Sequence, residues 1–289
     1  MKVGLGTTVL IKGKSSGHMD GIAIYTKHLL EHLPAAGVEV KRFGFIKKQL
    51  DTNVISLGSF VPQTVMSTLT GSSFYSSRKV LKNVRLFHAT DHLIPKFSKI
   101  PVIATIMDPI PLAHPEWVKS RYRGVKNVLY KRMGQWADHV ITISEFSAQE
   151  IHEHFSIPRE KISVTPLGVD EQCFNRVSNQ KKDEVLDRYN LPSEYFVFIG
   201  TLQPRKNVTR LLNAFLHLPD KIQRKHPLVI IGRMGWDCED LVGQLNKLKI
   251  SKLVFWLDYV PFADKYALLQ ASLAMVFPSL YEGFGLPVL

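Results

Sequence analysis

Short apolar runs alternate with segments of helical spacing along most of the chain, and this alternation predicts an α/β protein. Residues 3–11 are rich in β-branched side chains and predict a first strand, which a loop of small and polar residues follows. Apolar residues then recur every three or four positions from about Gly21 to Leu33, and residues 37–40 begin the next strand. Because a strand, a loop, a helix and a strand form a βαβ unit, we expect a parallel sheet.

The same alternation predicts further strands at 84–89, 101–107, 138–144, 161–166, 195–200, 228–232, 254–257 and 274–277. Helices are predicted after Ser144, at 208–215 and at 264–271, and a last helix is predicted to open at Leu286. Residues 44–82 show no sustained period and predict a surface excursion with one or two short helices. The charged segment 175–187 interrupts the pattern, so we predict two α/β domains, residues 1–172 and residues 173–289.

Composition agrees with two domains. The chain has 289 residues, of which 45% are hydrophobic, and it can therefore bury two ordinary cores. Cys173 and Cys238 lie far apart and match no metal or redox spacing. No run approaches the ~20 apolar residues of a membrane span, and the start carries no long apolar signal stretch. These observations predict a soluble protein of a reducing compartment.

The net charge of +12 lies mostly in the first two thirds of the chain. Residues 1–190 hold 26 Lys/Arg against 17 Asp/Glu, whereas residues 191–289 hold 11 against 8. Such a balance indicates an anionic partner, which is nucleic acid, a phosphate ligand or an anionic membrane. Charge alone does not choose among the three.

Residues 117–136 carry six basic side chains and no acidic one. Apolar residues step through this segment by three or four positions and form one stripe: Val118, Tyr122, Val125, Leu129, Met133 and Trp136. One interpretation is a packed helix with a solvated basic face, and the other is peripheral contact with an anionic membrane. Because the aromatic residues share the stripe that should be buried, base stacking on nucleic acid is disfavoured.

Two polar residues lie at the ends of predicted strands in the first domain. His88 ends the strand at 84–89, and Asp108 follows the strand at 101–107. Ligand-contacting residues of parallel sheets lie just past the carboxyl ends of strands, so both are placed to face a cleft. The alternatives are a satisfied core histidine and a strand-ending Asp-Pro turn. Gly21 either lets a ligand approach the helix start or belongs to a plain flexible loop.

The second domain offers a clearer candidate. Arg205 and Lys206 follow a predicted buried strand and precede a helix. The planar guanidinium of Arg205 and the mobile ammonium of Lys206 both suit a diphosphate. The alternative is a pair of solvated surface charges. Near the end, Glu282 precedes two glycines, Gly283 and Gly285. Such a turn before a helix exposes backbone N–H groups to an anion, and Glu282 suits a hydroxyl or a sugar.

Together these passages resemble the retaining glycosyltransferases of family four, which have the two-Rossmann-domain architecture called GT-B. The second half carries the resemblance in Gly200-Thr201-Leu202 with Arg205-Lys206-Asn207, and in residues 230–232, 258–261 and 278–287. The first half adds Gly21-Ile22 and residues 143–147 and 166–170. The likeness spans nearly the whole chain.

The resemblance implies a nucleotide-diphosphate sugar as donor substrate and no metal or other cofactor. It implies that Arg205 and Lys206 neutralise the diphosphate leaving group, and that Glu282, the first carboxylate of the E-x7-E motif, contacts the donor sugar. Asp108 would join these three as a catalytic residue, and His88 and Asp108 would lie on the acceptor side. The remaining donor-binding residues implied are Gly21, Gly200, Gly232, Tyr259, Val260, Gly283, Phe284, Gly285 and Leu286.

Two positions depart from the family pattern. Met107 stands where relatives often have histidine, and the second glutamate of the motif would come immediately after Leu289. We therefore expect a C-terminally truncated chain, with an incomplete second domain and weak or no activity by itself.

The functional hypothesis is transfer of a hexose, with mannose favoured, to a saccharide or lipid-linked acceptor in surface polysaccharide or lipopolysaccharide biosynthesis. We expect it in the cytoplasm, peripheral to the inner face of the membrane. The alternatives are a degenerate sugar-nucleotide-binding protein and a GT-B sugar-nucleotide epimerase. A nucleic-acid partner is not expected, since no basic–aromatic module is present.

Overall fold

The computed structural model describes residues 1–16, 19–46, 52–118 and 121–289. Gly17, His18 and Lys119, which belong to predicted segments, lie outside the described residues, as do residues 47–51 of the predicted surface excursion. The chain divides into two compact units, Met1–Pro166 (unit 1) and Leu167–Leu289 (unit 2). Both are α/β units built on parallel sheets, as predicted.

Unit 1 is built on a seven-stranded parallel sheet with the order β3-β2-β1-β4-β5-β6-β7. The strands are β1 (Lys2–Gly6), β2 (Glu39–Gly44), β3 (Val54–Ser56), β4 (Leu86–Ala89), β5 (Val102–Thr105), β6 (His139–Thr142) and β7 (Ile162–Val164). The helices are α1 (Thr8–Ser16), α2 (Gly21–His32), α3 (Phe60–Thr70), α4 (Ser77–Leu81), α5 (Ile110–Ala113), α6 (Arg123–Gly134) and α7 (Glu145–Phe155). The strand order reverses between β1 and β4, which makes their carboxyl ends the topological switch point of the sheet.

The predicted first strand is too long. It ends at Gly6, and a helix, α1, begins at Thr8. The amide of Ile11 donates to the carbonyl of Thr7, and Leu10 and Ile11 are buried. Burial of that helix face overrides the β preference of Thr8, Val9 and Ile11, because β-propensity reflects packing more than the backbone.

The surface excursion contains two helices, α3 and α4, where one or two short helices were predicted. It also contains β3, which the sequence did not predict and which extends the sheet by pairing with β2 from Arg42 opposite Val54. With three residues, β3 is too short to show a two-residue period. This segment is therefore joined to the sheet and does not stand apart from it.

The apolar stripe predicted over residues 117–136 is only partly buried. Helix α6 begins at Arg123, and Tyr122 and Val125 on its early side are each 63% exposed. The second half of the helix does pack, because Gly134 lies against Phe155, whose ring an added Cβ would approach to 2.2 Å. The stripe is therefore core only towards the end of α6.

Unit 2 contains a four-stranded parallel sheet with the order β10-β9-β8-β11. Its strands are β8 (Phe196–Ile199), β9 (Leu228–Ile231), β10 (Val254–Leu257) and β11 (Ala274–Met275). Its helices are α8 (Asn179–Tyr189), α9 (Val208–Leu216), α10 (Asp220–Lys225), α11 (Glu239–Ile250) and α12 (Phe262–Ala271). Alternate side chains of β8 and β9 enter two separate apolar clusters, so the sheet is covered on both faces.

The charged segment 175–187 contains most of α8. Ser178 caps this helix, and Arg188 and Tyr189 at its end bind the buried carboxylate of Asp264. One predicted strand of unit 2 was wrong in detail. The predicted buried strand 274–277 is an edge strand of two residues. Among the described residues, no helix combines the length and apolarity that crossing a bilayer requires.

Candidate active site

Two loops of unit 2 are joined through their backbones at the carboxyl edge of the sheet. The loop after β8 forms a 3₁₀ turn at Pro204–Lys206, and Asn207 then adopts a left-handed conformation before α9. The amide of Leu280, in the loop after β11, donates to the carbonyl of Arg205 at 2.8 Å. The side-chain amide of Asn207 donates to the carbonyl of Pro278 at 3.1 Å. Because β8 and β11 are parallel neighbours, both loops leave the sheet at the same edge.

This edge brings together the two cations and the carboxylate that the sequence singles out. Arg205 Nη1 donates to Glu282 Oε2 at 2.9 Å, and Lys206 Nζ donates to Glu282 Oε1 at 2.5 Å. Arg205 Nη1 also lies 3.1 Å from the carbonyl oxygen of Tyr281. Arg205 and Lys206, which precede Glu282 by 77 and 76 positions in the sequence, thus share its carboxylate.

Burial makes this group of charges strongly interacting. The side chain of Lys206 is only 8% exposed, and its ammonium lies 5.2 Å from the centre of the Phe277 ring. Burial lowers the pKa of Lys206, and Glu282 opposes that shift. Burial alone would raise the pKa of Glu282, but bonding to Lys206 and the charges of Lys206 and Arg205 outweigh it and hold this pKa below its usual value. Two cations and one carboxylate leave a formal charge of +1, which favours an anionic ligand.

Glycines allow the ends of β8 and β9 to approach closely beside this group. A Cβ on Gly232 would lie 1.9 Å from the carbonyl oxygen of Gly200, so no other residue fits there without a backbone shift. The carbonyl of Gly232 accepts a hydrogen bond from Trp256 Nε1 at 2.9 Å. Gly232 is therefore required for the shape of this edge, and the contacts of Gly200 and Gly232 with a donor stay predictions.

The other predicted donor-binding residues differ in exposure. Tyr259 is 58% exposed and has the guanidinium of Arg233 over its ring, whereas Val260 is buried in one of the apolar clusters of unit 2. Gly283 is buried, and Phe284 is half-buried. Gly285 has a φ of 85° and begins a 3₁₀ turn, Leu286–Val288, where an α-helix was predicted. The donor contacts of these residues stay predictions.

His88 in unit 1 does not face open space. Its Nε2 lies 2.8 Å from Thr105 Oγ1, which in turn lies 3.1 Å from the hydroxyl of Tyr25. Burial lowers the pKa of His88 to about 4, so the imidazole is neutral near pH 7. Asp108 Oδ1 accepts the amide of Ile110 at 3.2 Å, which is the turn-forming contact that its sequence also suggested. The acceptor-side roles of His88 and Asp108 stay predictions.

Gly21 is the first residue of α2. Asp20 caps this helix by accepting the amide of Ala23 at 2.8 Å. A Cβ added at Gly21 would meet nothing within 4 Å, so the helix start borders open space within the described residues. This leaves room for a ligand but does not require glycine.

Asp91 and His92 lie just past β4 at the switch point and were not among the predicted site residues. Thr90 Oγ1 donates to the carbonyl of Gly6 at the end of β1, and this bond joins the two sides of the switch point. The hydroxyl of Tyr130 lies 2.8 Å from Nδ1 of the exposed His92. Burial raises the pKa of Asp91, and His92 opposes the shift. The rule that selected His88 would have found these residues if it had been applied to the loop after the strand.

A cleft of about 430 Å³ lies beside Gln203 and Pro204 in unit 2. Its lining includes three carboxylates, Asp237, Glu239 and Asp240, and none of Arg205, Lys206 and Glu282. Because these carboxylates repel a diphosphate, this cleft is a poor site for the phosphate groups of a donor.

One group in the described part of unit 1 has metal-ligand spacing: His28, Glu31 and His32 on α2, all exposed. This group was not predicted from the sequence, although residues four apart share a helix face. It does not include any residue of the Arg205–Lys206–Glu282 group. The prediction that the chain needs no metal is not decided by it and stays a prediction.

Two α/β units, each built on a parallel sheet, are the fold elements of the Rossmann-like GT-B class, and the cationic pair lies at the carboxyl edge of the second sheet. The family model described as Glycosyltransferase Family 4 matches residues 19–172, and the model described as Glycosyl transferases group 1 matches residues 181–289. The chain belongs to glycosyltransferase family 4, which confirms the resemblance read from its motifs.

Known proteins agree with this family and fold. The chain is 33% identical over 209 residues to O-antigen chain mannosyltransferase B of Escherichia coli, a match that covers 72% of this chain and 52% of that protein. The chain thus spans about half the length of that relative. Sucrose-phosphate synthase from Thermosynechococcus elongatus has a similar structure, with a TM-score of 0.70, 18% identity and coverage of 99% of this chain and 77% of that one. Anabaena HepE in complex with UDP-glucose gives a TM-score of 0.67, 15% identity and coverage of 96% and 74%.

Proposed function

We propose that this chain binds a nucleotide-diphosphate sugar and transfers its hexose, with mannose favoured, to a saccharide or lipid-linked acceptor in O-antigen or related lipopolysaccharide synthesis. The observation that carries the proposal is the convergence of Arg205 and Lys206 on Glu282 at the carboxyl edge of the unit 2 sheet. The mannosyltransferase relative supports the choice of mannose.

The chemistry proposed for this edge is stabilisation of a leaving group. As the bond between the anomeric carbon and the diphosphate breaks, negative charge grows on the phosphate oxygens, and Arg205 and Lys206 would bind it. Fixed cations in a buried site cost no reorganisation at that moment. Glu282 would hold both cations in position and accept hydrogen bonds from sugar hydroxyls. With retention, the acceptor oxygen bonds to the anomeric carbon from the departing face, and its proton passes to a phosphate oxygen.

The acceptor belongs to unit 1 in this proposal. We place it at the switch point between β1 and β4, where Asp91 and His92 border the carboxyl ends of the strands. A location in the cytoplasm, at the inner face of the membrane, is part of the same proposal. Exposed Tyr122, Val125 and Val128 beside the basic residues of α6 support contact with an anionic membrane.

A second function, binding of a sugar nucleotide without turnover, is favoured by Met107, which stands where the family resemblance implies histidine. The two functions share the donor site and differ in product. Release of nucleoside diphosphate with formation of a glycosylated acceptor therefore separates them.

Thermal-shift measurements with GDP-, UDP- and ADP-sugars test the donor site. We expect one class of sugar nucleotide to raise the melting temperature, and we expect Arg205→Gln and Lys206→Met to weaken its binding at least ~30-fold, since charge-assisted contacts contribute about 2 kcal/mol or more each. Arg210→Gln is the matched control, because Arg210 lies exposed on α9 in the same unit. Donor binding that survives both substitutions at the proposed site would exclude this assignment.

A further inference from the structure

Helix α3 in unit 1 buries its polar side and exposes its apolar side. Gln63, Thr64 and Ser67 face inwards and are at most 4% exposed. The apolar residues face outwards: Val61 is 69% exposed, Val65 42%, Met66 57% and Leu69 80%. A helix on the surface of a globular protein normally has its apolar stripe against the core.

The reversed orientation is held by specific contacts. Gln63 Nε2 donates to the carbonyls of Leu57 and Ser59 at 2.9 and 3.0 Å. Gln63 Oε1 accepts the amide of Ser76, just before α4, at 3.1 Å. The ring of Phe60 at the start of the helix packs edge-on against Phe45, with ring centres 4.8 Å apart. Rotating the helix would break these buried hydrogen bonds, so the apolar face stays outside.

The surroundings of this face are basic. Residues 52–90 contain four Lys/Arg and no Asp/Glu. Arg78, Lys79 and Lys82, on and just after α4, are all exposed, and so is Tyr75, which is 62% exposed between the two helices. An apolar helix face beside basic side chains and an interfacial tyrosine is the composition of a helix that lies in the plane of a membrane surface.

We infer that α3, Tyr75 and α4 form a surface that docks unit 1 on a bilayer containing anionic lipid. Helix α3 has 11 residues and is therefore about 16 Å long, too short to span and long enough to lie flat. Val61, Val65, Met66 and Leu69 enter the boundary of the acyl chains, and the basic residues of α4 contact lipid phosphates. Charge complementarity selects the occupant, because an acid-free basic border favours an anionic surface. The inference extends the membrane contact in the proposed function and does not depend on sugar transfer.

Sedimentation of the whole chain with vesicles tests the docking surface. The vesicles are phosphatidylcholine alone and phosphatidylcholine mixed with phosphatidylglycerol. We expect the chain to bind the mixed vesicles, and Met66→Gln with Leu69→Gln to weaken this binding at least ~10-fold, since each loses the transfer of a large apolar side chain. Phe174→Gln is the matched control, because Phe174 is a 75% exposed apolar residue of unit 2. Its binding should equal that of the unchanged chain.

A second variant tests the basic residues on and just after α4. Arg78→Gln with Lys82→Gln should weaken binding to mixed vesicles by about 5-fold per charge at low salt and leave binding to phosphatidylcholine unchanged. Equal binding of the Met66→Gln, Leu69→Gln chain and the unchanged chain overturns the inference, as does no binding of the unchanged chain to mixed vesicles. A dimer that dissociates on the α3 substitutions, without vesicle binding, also overturns it and assigns the face to a second copy. Thermal shifts with sugar nucleotides on the α3 variants report separately on the proposed function.

Discussion

The pairing of Lys206 with Glu282 gives a sharp quantitative prediction. The perturbation is a double-mutant cycle made of Lys206→Met, Glu282→Gln and the two together. Methionine keeps the length of the lysine stem and glutamine keeps the shape of the glutamate, so each substitution removes charge with little change in volume. The cycle isolates the interaction energy of this pair.

The expected magnitude follows from distance and burial. Unit charges 2.5 Å apart attract by about 7 kcal/mol at an effective dielectric constant of ~20. The side chains are 8% and 19% exposed, so water still reaches the carboxylate side. After that screening we expect a coupling of about 3 kcal/mol, at the upper end for contacting residues. Glu282→Gln should cost about 3 kcal/mol of unit 2 stability, since it leaves two cations uncompensated, and Lys206→Met about 2 kcal/mol, because Arg205 still holds Glu282.

Hydrogen exchange of peptides covering β8 and β9 measures these free energies in unit 2 without assuming that the whole chain unfolds in one step. The stabilisation from Glu282 should be fully present at a pH above ~4.3, the usual glutamate pKa, because the pKa of Glu282 in the folded protein is lower. It should be lost as the pH falls through that lowered value. A coupling below about 0.5 kcal/mol would refute the reasoning, since independent sites add within that margin.

Three further outcomes are expected. Gly232→Ala should destabilise unit 2 by at least about 3 kcal/mol in thermal unfolding, because its Cβ would overlap the carbonyl oxygen of Gly200. Gly243→Ala, whose Cβ would meet nothing within 4 Å, should be neutral or stabilising in the same measurement. Asp264→Asn should lower the stability of unit 2 by about 2 kcal/mol, measured by hydrogen exchange of α8 and α12. The buried carboxylate of Asp264 accepts a hydrogen bond from Arg188 Nη1 at 2.6 Å, and water at the half-exposed arginine screens the pair. The imidazole of His88 should stay neutral down to about pH 4, its lowered pKa, whereas an unfolded histidine gains a proton near pH ~6.5. The stability of the unchanged chain, measured by urea unfolding, should therefore fall by about 3 kcal/mol between pH ~6.5 and ~4, and the fall should be smaller in the His88→Gln chain.

The strands were largely predictable because most are buried on both faces of a parallel sheet. All four residues of Leu228–Ile231 are buried, and such continuous apolar runs are visible in the sequence. Strand β3 has three residues and shows no period, and α1 carries β-branched residues that indicate a strand. Periodicity also does not tell which side of a helix faces water. The reversed face of α3 could therefore be recognised only from the burial of Gln63.

The candidate site was predictable to the level of which residues meet. Arg205, Lys206 and Glu282 follow predicted strands, and the family resemblance assigned all three to one donor site. The sequence did not indicate that the three would form ion pairs with one another, since that depends on the backbone bond from Leu280 to Arg205. At the switch point of unit 1 the rule for the ends of parallel strands selected the strand end, His88, when the exposed side chain lies four residues later, at His92.

The bond between Leu280 and Arg205, together with that between Asn207 and Pro278, fastens the loop after β8 to the loop after β11. The spacing between cations and acid is thereby set by main chain, and neither loop can swing without the other. In the proposed function a diphosphate would therefore meet two cations that the main chain and Glu282 already hold in position, and its binding would need no rearrangement of either loop. Transplanting this specificity into a related scaffold would consequently require moving both loops as a matched set.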